Sequence, residues 1–287
     1  MKPRWKSPPV ESPGRVTPEA ARFVRRFLTP VVRAMHRPEL RGVEHLPADR
    51  PYLLVANHSA GVAMSEIFAF MTLWLERFGV DRPIAGFTHP LGLKLFPASV
   101  LLRDVGAVPS TYEAAAETLR RGVPLLVFPG GDYESLRPFW QAHRVDFGGR
   151  VGFLRIARDA GVPIVPMGIR GSHLSVPILW RSRHVLPNAL LLPRLFGLRR
   201  WALTALGAAG AAALLLAPAW SLPLRLAATW AWLSSPFIFT PIVPTTIRMR
   251  IGAPLEPSTL FASDDLGDAL RRVEAAVQAQ VDGLDPR

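Results

Sequence analysis

Two stretches of this chain place reactive side chains directly after short apolar runs. The first, VANHSAGVAMSE at residues 55–66, carries Asn57-His58-Ser59 and closes on Glu66. An imidazole titrates near neutrality, so His58 is suited to take a proton from a hydroxyl. A carboxylate beside it would fix its tautomer and stabilise the imidazolium. Glu66, eight positions on, is the nearest acid downstream. That separation exceeds two helical turns, so the pair meets only if residues 59–63 form a loop before a helix starts, and Gly61 supplies the freedom for one. The second stretch is FPGGDYESLRP at residues 128–138. Gly130 and Gly131 let the backbone approach a ligand, Asp132 and Glu134 offer carboxylates, and Arg137 presents a fork for a phosphate or carboxylate. Each stretch has a plainer reading: a histidine capping a helix in the first, a turn with a solvated arginine in the second.

The elements around them decide between these readings. Residues 52–56, 83–87, 123–128 and 163–169 read as buried strands bounded by Pro, Gly or Asp, with helical stretches at 64–77, 112–121 and 151–160 between them. This alternation predicts an α/β fold, a layered and mostly parallel sheet flanked by helices. Both stretches then fall at the carboxyl ends of strands, where open α/β sheets hold their sites. A last strand is expected at 248–253 and an amphipathic helix at 264–280. His89, in GFTHP after the second strand, lines the same edge or serves a structural role.

Outside this core the chain changes character. Residues 1–16 read as a disordered leader without the apolar run of a secretory signal. Residues 17–38 read as a basic amphipathic helical region that opens at Thr17-Pro18-Glu19, with Pro30 kinking or splitting it. Phe23, Phe27, Val31 and Met35 form its apolar stripe, suited to an anionic lipid surface or to ordinary core packing. Residues 39–287 form one domain that includes a hydrophobic insertion at 199–247. Within it, residues 201–223 and 226–247 carry no charged side chain, and Arg225 stands near their junction. Each run approaches the roughly 20 residues of a bilayer span. Their prolines favour instead a helical hairpin dipping into one leaflet, with Trp220, Trp230 and Trp232 at headgroup level; a buried helical subdomain is the alternative.

Composition narrows the function. The chain has 34 Lys and Arg against 22 Asp and Glu, a net charge of +12, which calls for an anionic partner. No motif interleaves aromatic and basic residues as nucleic-acid recognition requires, so a membrane surface is favoured. A mean hydropathy of +0.20 points to apolar surface outside the core. The absence of cysteine excludes disulfides, thiolate nucleophiles and cysteine-held metals. No Gly-x-Ser-x-Gly elbow occurs, which argues against an α/β hydrolase. Asn57-His58-Ser59 fits a glycosylation pattern that lacks an export signal to give it meaning.

Residues 40–172 resemble the phospholipid/glycerol acyltransferase superfamily, which includes the lysophosphatidic acid acyltransferases. The resemblance rests on four blocks in order: RGVEHLP with VANHSAGVAMSE, then GAVPSTYEAAAETLRRG at 106–122, FPGGDYESLRP, and VPIVP at 162–166. It departs at two places. The family's acid stands five residues after the histidine, where this chain has Ala63, so Glu66 must supply it. The third block lacks the family's glutamate and threonine, and its Pro-Gly-Gly form is similar to the diacylglycerol acyltransferase and phytyl ester synthase branch.

The resemblance implies a glycerolphosphate-acyltransferase-like fold and an acyl transfer from acyl-CoA or acyl carrier protein to the hydroxyl of a glycerolipid or other lipid alcohol. His58 would be the general base and Glu66 its orienting acid. Asn57, Ser59, Gly130, Gly131, Asp132, Glu134 and Arg137 would line the substrate site, with the glycine amides as oxyanion donors and Arg137 on a headgroup or the donor's phosphate. It implies no metal and no cofactor beyond the acyl donor. It also implies attachment to the cytoplasmic face of a membrane. A non-catalytic membrane scaffold, with the hairpin as its purpose, is the rival reading.

Overall fold

The structure, a computed structural model, describes residues 12–88, 93, 98–195 and 197–284. His89 lies outside the described residues, as does most of the leader. Nine strands occur among the described residues: Glu39–Arg41 (β1), Leu53–Ala56 (β2), Ala85–Thr88 (β3), Val108–Pro109 (β4), Leu125–Val127 (β5), Ile164–Arg170 (β6), Ile178–Ser182 (β7), Trp201–Thr204 (β8) and Arg248–Ile251 (β9). Seven of them form one sheet in the order β1-β9-β6-β2-β5-β3-β4. All its neighbouring pairs run parallel except β6 and β9. The sheet is therefore the mostly parallel, helix-flanked one expected.

Strand β2 is buried along its whole length because its two sets of side chains enter two cores. Leu53 and Val55 join Leu125, Val127 and Ile164 under the helices Tyr112–Arg120, Gly152–Ala160 and Leu266–Asp282. Leu54 and Ala56 join Val165, Met167 and Ile169 under the Ser65–Phe78 and Thr29–His36 helices. Each such leucine or valine stabilises the fold by about 1.5–3 kcal/mol. That double covering is why a run without alternation could be read as a strand. The C-terminal helix presses so closely that a Cβ on Gly168 would stand 2.4 Å from the Val281 nitrogen.

The N-terminal region opens as expected: Thr17 caps the Pro18–Phe23 helix by accepting from the Ala20 N–H. Pro30 does not split it, since Pro18–Phe23, Val24–Leu28 and Thr29–His36 are contiguous. A π-helical turn, Val24–Leu28, widens the helix just before the proline, so the chain continues into Thr29–His36. Phe23, Phe27 and Val31 are exposed.

The insertion is a hairpin of two short helices, Ala205–Leu215 and Leu222–Ser234. No described helix is long and apolar enough to cross a membrane. Gly210 makes the close crossing possible, since a Cβ there would meet the Trp232 indole at 2.4 Å. Trp232 thus sits in the joint between the helices and donates to the Gly207 carbonyl, 3.0 Å away. Arg225 donates to the Leu215, Pro218 and Trp220 carbonyls and so closes the connecting turn. A third core joins the insertion to the β7–β8 hairpin and to Leu136, through Ile178, Trp201, Ile238 and Phe239.

Candidate active site

The three central parallel strands β5, β2 and β6 end at the same edge, and the loops that leave them build the site. After β2 the chain does not enter a helix at once. Ala60 and Gly61 take positive φ, residues 61–63 form a single 3-10 turn, and Met64 takes positive φ again before the helix begins at Ser65. Two left-handed positions without glycine cost about 1 kcal/mol or more each. They turn the loop back so that the first turn of the helix returns to the histidine. The His58 Nδ1 and Glu66 Oε1 are 2.6 Å apart, and the same oxygen accepts from the Ser59 N–H at 2.7 Å. Glu66 is fully buried, its Oε2 without a hydrogen-bond partner, while the His58 side chain is 13% exposed and packs against Phe128. The loop required by the eight-residue spacing is therefore present, and Glu66 reaches His58.

From β5 the chain turns through Pro129 and Gly130 into the Gly131–Ser135 helix. Glu134 on this helix reaches back toward the first loop. Its Oε2 accepts from the His58 backbone N–H at 2.9 Å and its Oε1 from the Asp146 N–H at 3.3 Å. Burial pushes the Glu134 carboxyl up to about 7, against the two N–H bonds and the neighbouring Arg137. Arg137 is itself buried. Its guanidinium donates to the Arg144 and Asp146 carbonyls and lies 4.0 Å from the carboxylates of Glu134 and Asp146.

From β6 come Ser172 and His173. Ser172 is buried and its hydroxyl meets that of Ser59. The His173 and His143 rings meet edge to face with centroids 4.4 Å apart. Burial, then His143 and Arg170, lower His173 to about 3, and burial with Arg170 lowers His143, so both are neutral near pH 7.

A cleft runs between these loops, lined by Asn57, His58, Ser59, Glu134, Arg137, His143 and His173 among others. Asn57 lines it but spends both polar ends on β6, donating to the Ile169 carbonyl at 2.9 Å and accepting from the Ile169 N–H at 2.7 Å. Gly130, Gly131 and Asp132 do not line it. The Gly131 N–H is turned to the Phe128 carbonyl at 3.1 Å, which engages one of the two amides expected to face an oxyanion. Asp132 pairs with Arg150 at 2.6 Å and Arg200 at 2.8 Å. Burial opposes its charge, yet these two arginines outweigh burial and hold its carboxyl below the usual range. Arg200 and Arg181 also cover the Tyr133 ring, so the β7–β8 hairpin clamps this loop.

Four participants were not read from sequence: Ser172, His173, His143 and Phe239. Ser172 and His173 follow a strand as His58 does, which is a usable signal. Phe239 has none: it comes from the far end of the insertion and seats its ring where a Cβ on Gly61 would lie, 2.7 Å from Cδ1. The hydrophobic insertion is thus also a wall of the dyad loop.

Part of the chain is similar to known proteins. Residues 37–170 match the family model described as Acyltransferase. This stretch of the chain is similar to an acyltransferase domain. A human protein named DGAT1/2-independent enzyme synthesizing storage lipids is 32% identical to the chain over 133 residues, 46% of this chain and 39% of that one. Phytyl ester synthase 2, chloroplastic, of Arabidopsis thaliana is 27% identical over 140 residues, 46% of this chain and 19% of that one. The aligned domain thus spans well under half the length of these curated relatives. The crystal structure of the 1-acyl-sn-glycerophosphate acyltransferase of Thermotoga maritima superposes with a TM-score of 0.52 at 20% identity, covering 94% of this chain and 80% of that one. At that identity the likeness is one of fold, and the domain here has the same sheet architecture with helices on both faces.

Proposed function

We propose that the chain moves a fatty acyl group from acyl-CoA or acyl carrier protein to the hydroxyl of a glycerolipid or other lipid alcohol, with His58 as general base. The observation that carries this reading is the buried Glu66 carboxylate at 2.6 Å from the His58 Nδ1, at the mouth of a cleft. With Nδ1 engaged, Nε2 is the nitrogen that takes the acceptor's proton. The alkoxide adds to the thioester carbonyl, the carbon–sulfur bond breaks, and the thiolate leaves with the proton from the imidazolium. Glu66 stabilises that cation while it exists, and no acyl-enzyme is required.

The names of the two relatives, which concern storage lipids and a phytyl ester, support a neutral lipid alcohol as acceptor. So does Arg137, whose guanidinium is spent on carbonyls and carboxylates rather than held out for a phosphate. Membrane attachment belongs to the same proposal. Leu216, Leu222, Leu224 and Leu226 at the hairpin turn are exposed, as are Phe23 and Phe27 among the arginines of the N-terminal helix, an arrangement suited to one anionic leaflet at its cytoplasmic face. The test is transfer from labelled acyl-CoA to monoacylglycerol, diacylglycerol, long-chain alcohols and lysophospholipids. Activity abolished by His58→Ala in a folded protein supports the reading, and activity unchanged by it overturns it.

A further inference from the structure

We infer that Glu134 is a positioning residue that replaces, from one helical turn further along the chain, a carboxylate side chain missing at Gly130. Gly130 stands where the resembling family's third block has its glutamate, immediately after Phe128-Pro129. Its backbone, at φ −64° and ψ −27°, is one that any residue adopts, so no conformational demand requires glycine there. The demand is spatial. A Cβ on Gly130 would stand 2.4 Å from the Glu134 Cβ and 2.4 Å from its Oε2. The space a side chain at position 130 would enter is filled by the Glu134 side chain.

The carboxylate there holds the loop that carries His58. Two acids hold two successive amides of the dyad loop: Glu134 accepts from the His58 N–H at 2.9 Å, and Glu66 from the Ser59 N–H at 2.7 Å. Glu66 additionally holds the imidazole. Glu134 is 2% exposed, and both its oxygens already accept from backbone N–H groups, so neither is left to bind a headgroup. Its effect on the reaction runs through the backbone from which the imidazole hangs. A base displaced by about 1 Å loses on the order of 100-fold in rate.

The geometry makes the exchange reversible on paper. From standard bond lengths, an aspartate carries its Oδ about 2.4 Å from its own Cβ. That matches the distance from the Gly130 Cβ position to the present Glu134 Oε2. An acid at position 130, with position 134 cut back to glycine so that its Cβ, 2.4 Å from the new one, is also gone, would return an oxygen to the same place.

The experiment is a cycle of Glu134→Gly, Glu134→Gln, Gly130→Asp and Gly130→Glu with both Gly130 changes repeated in the Glu134→Gly background, which removes the Cβ at 134 as well as the carboxylate. Each protein is followed by urea unfolding and by kcat and KM in acyl transfer. Glu134→Gly is expected to lower kcat roughly 10- to 100-fold with KM little changed. Glu134→Gln, whose amide oxygen still accepts from His58, falls by less than about 10-fold. Gly130→Asp alone destabilises through the 2.4 Å contacts, and one of the double variants recovers both unfolding midpoint and kcat above Glu134→Gly. The inference is overturned if both doubles show the plain sum of their single losses. It rests on the acyltransferase reading only for the kinetic readout: should the wild type transfer nothing, that reading fails, while the unfolding cycle still decides the exchange.

Discussion

A buried carboxyl that titrates near neutrality leaves a measurable trace on stability. Glu134 is raised from 4.5 to about 7 chiefly by burial, so between these values the folded protein holds a proton that the unfolded chain releases. Stability from this group is fully present below pH 4.5 and is lost as pH rises through 7, the opposite of a salt-bridged acid. At 1.36 kcal/mol per unit, the fall amounts to about 3 kcal/mol. His173 and His143, whose values are lowered, act in the reverse sense and lose stability as pH falls below the ordinary histidine range. The raw pH profile of the wild type is therefore a sum of opposing slopes. Subtracting the profile of Glu134→Gln isolates the one group, since the amide keeps shape and an acceptor oxygen but does not titrate. Urea unfolding of both proteins at pH 4.5 to 8 should show the variant gaining on the wild type by about 3 kcal/mol across that window. Parallel curves would show that the carboxyl is ionised with an ordinary pKa and that the burial argument is wrong.

Other perturbations test separate joints. Gly61→Ala places a Cβ at φ +56° and 2.7 Å from the Phe239 ring, and should cost about 2–4 kcal/mol together with most of the activity; a variant as stable as the wild type would deny that the insertion braces the loop. Asn57→Ala leaves the N–H and carbonyl of Ile169 buried without partners, so about 2–4 kcal/mol should be lost in a denaturant melt. Leu216→Ser with Leu222→Ser, at two of the most exposed apolar positions of the hairpin turn, should weaken flotation with phosphatidylglycerol vesicles about 10-fold or more while leaving the melting temperature unchanged. Equal flotation would place the membrane contact elsewhere.

What could be read in the sequence depended on how local the determinant is. The strand before His58 was legible because Leu53 to Ala56 is apolar on both faces, and the loop after it because eight residues of spacing admit no alternative if Glu66 is to reach His58. The third block was legible as a site but not in its parts. Gly130 and Glu134 were read as two ligand contacts, whereas one is the vacancy into which the other folds, a relation of side chains one turn apart that spacing does not reveal. The arginine in that block was read as a free fork, and only the folded chain shows the carbonyls of Arg144 and Asp146 turned toward it. The insertion was legible as an apolar hairpin. Its second role, Phe239 seated on Gly61, joins positions far apart in the chain and left no trace in either stretch.

The central claim is that His58, held by Glu66, takes the proton from a lipid hydroxyl. The most direct measurement is acyl transfer from labelled acyl-CoA to the panel of neutral and phosphorylated acceptors by wild type, His58→Ala and Glu66→Gln, each checked for a native melt. The account predicts transfer by the wild type and a loss of about 100- to 10,000-fold in both variants. A folded His58→Ala protein that still transfers at the wild-type rate would contradict it.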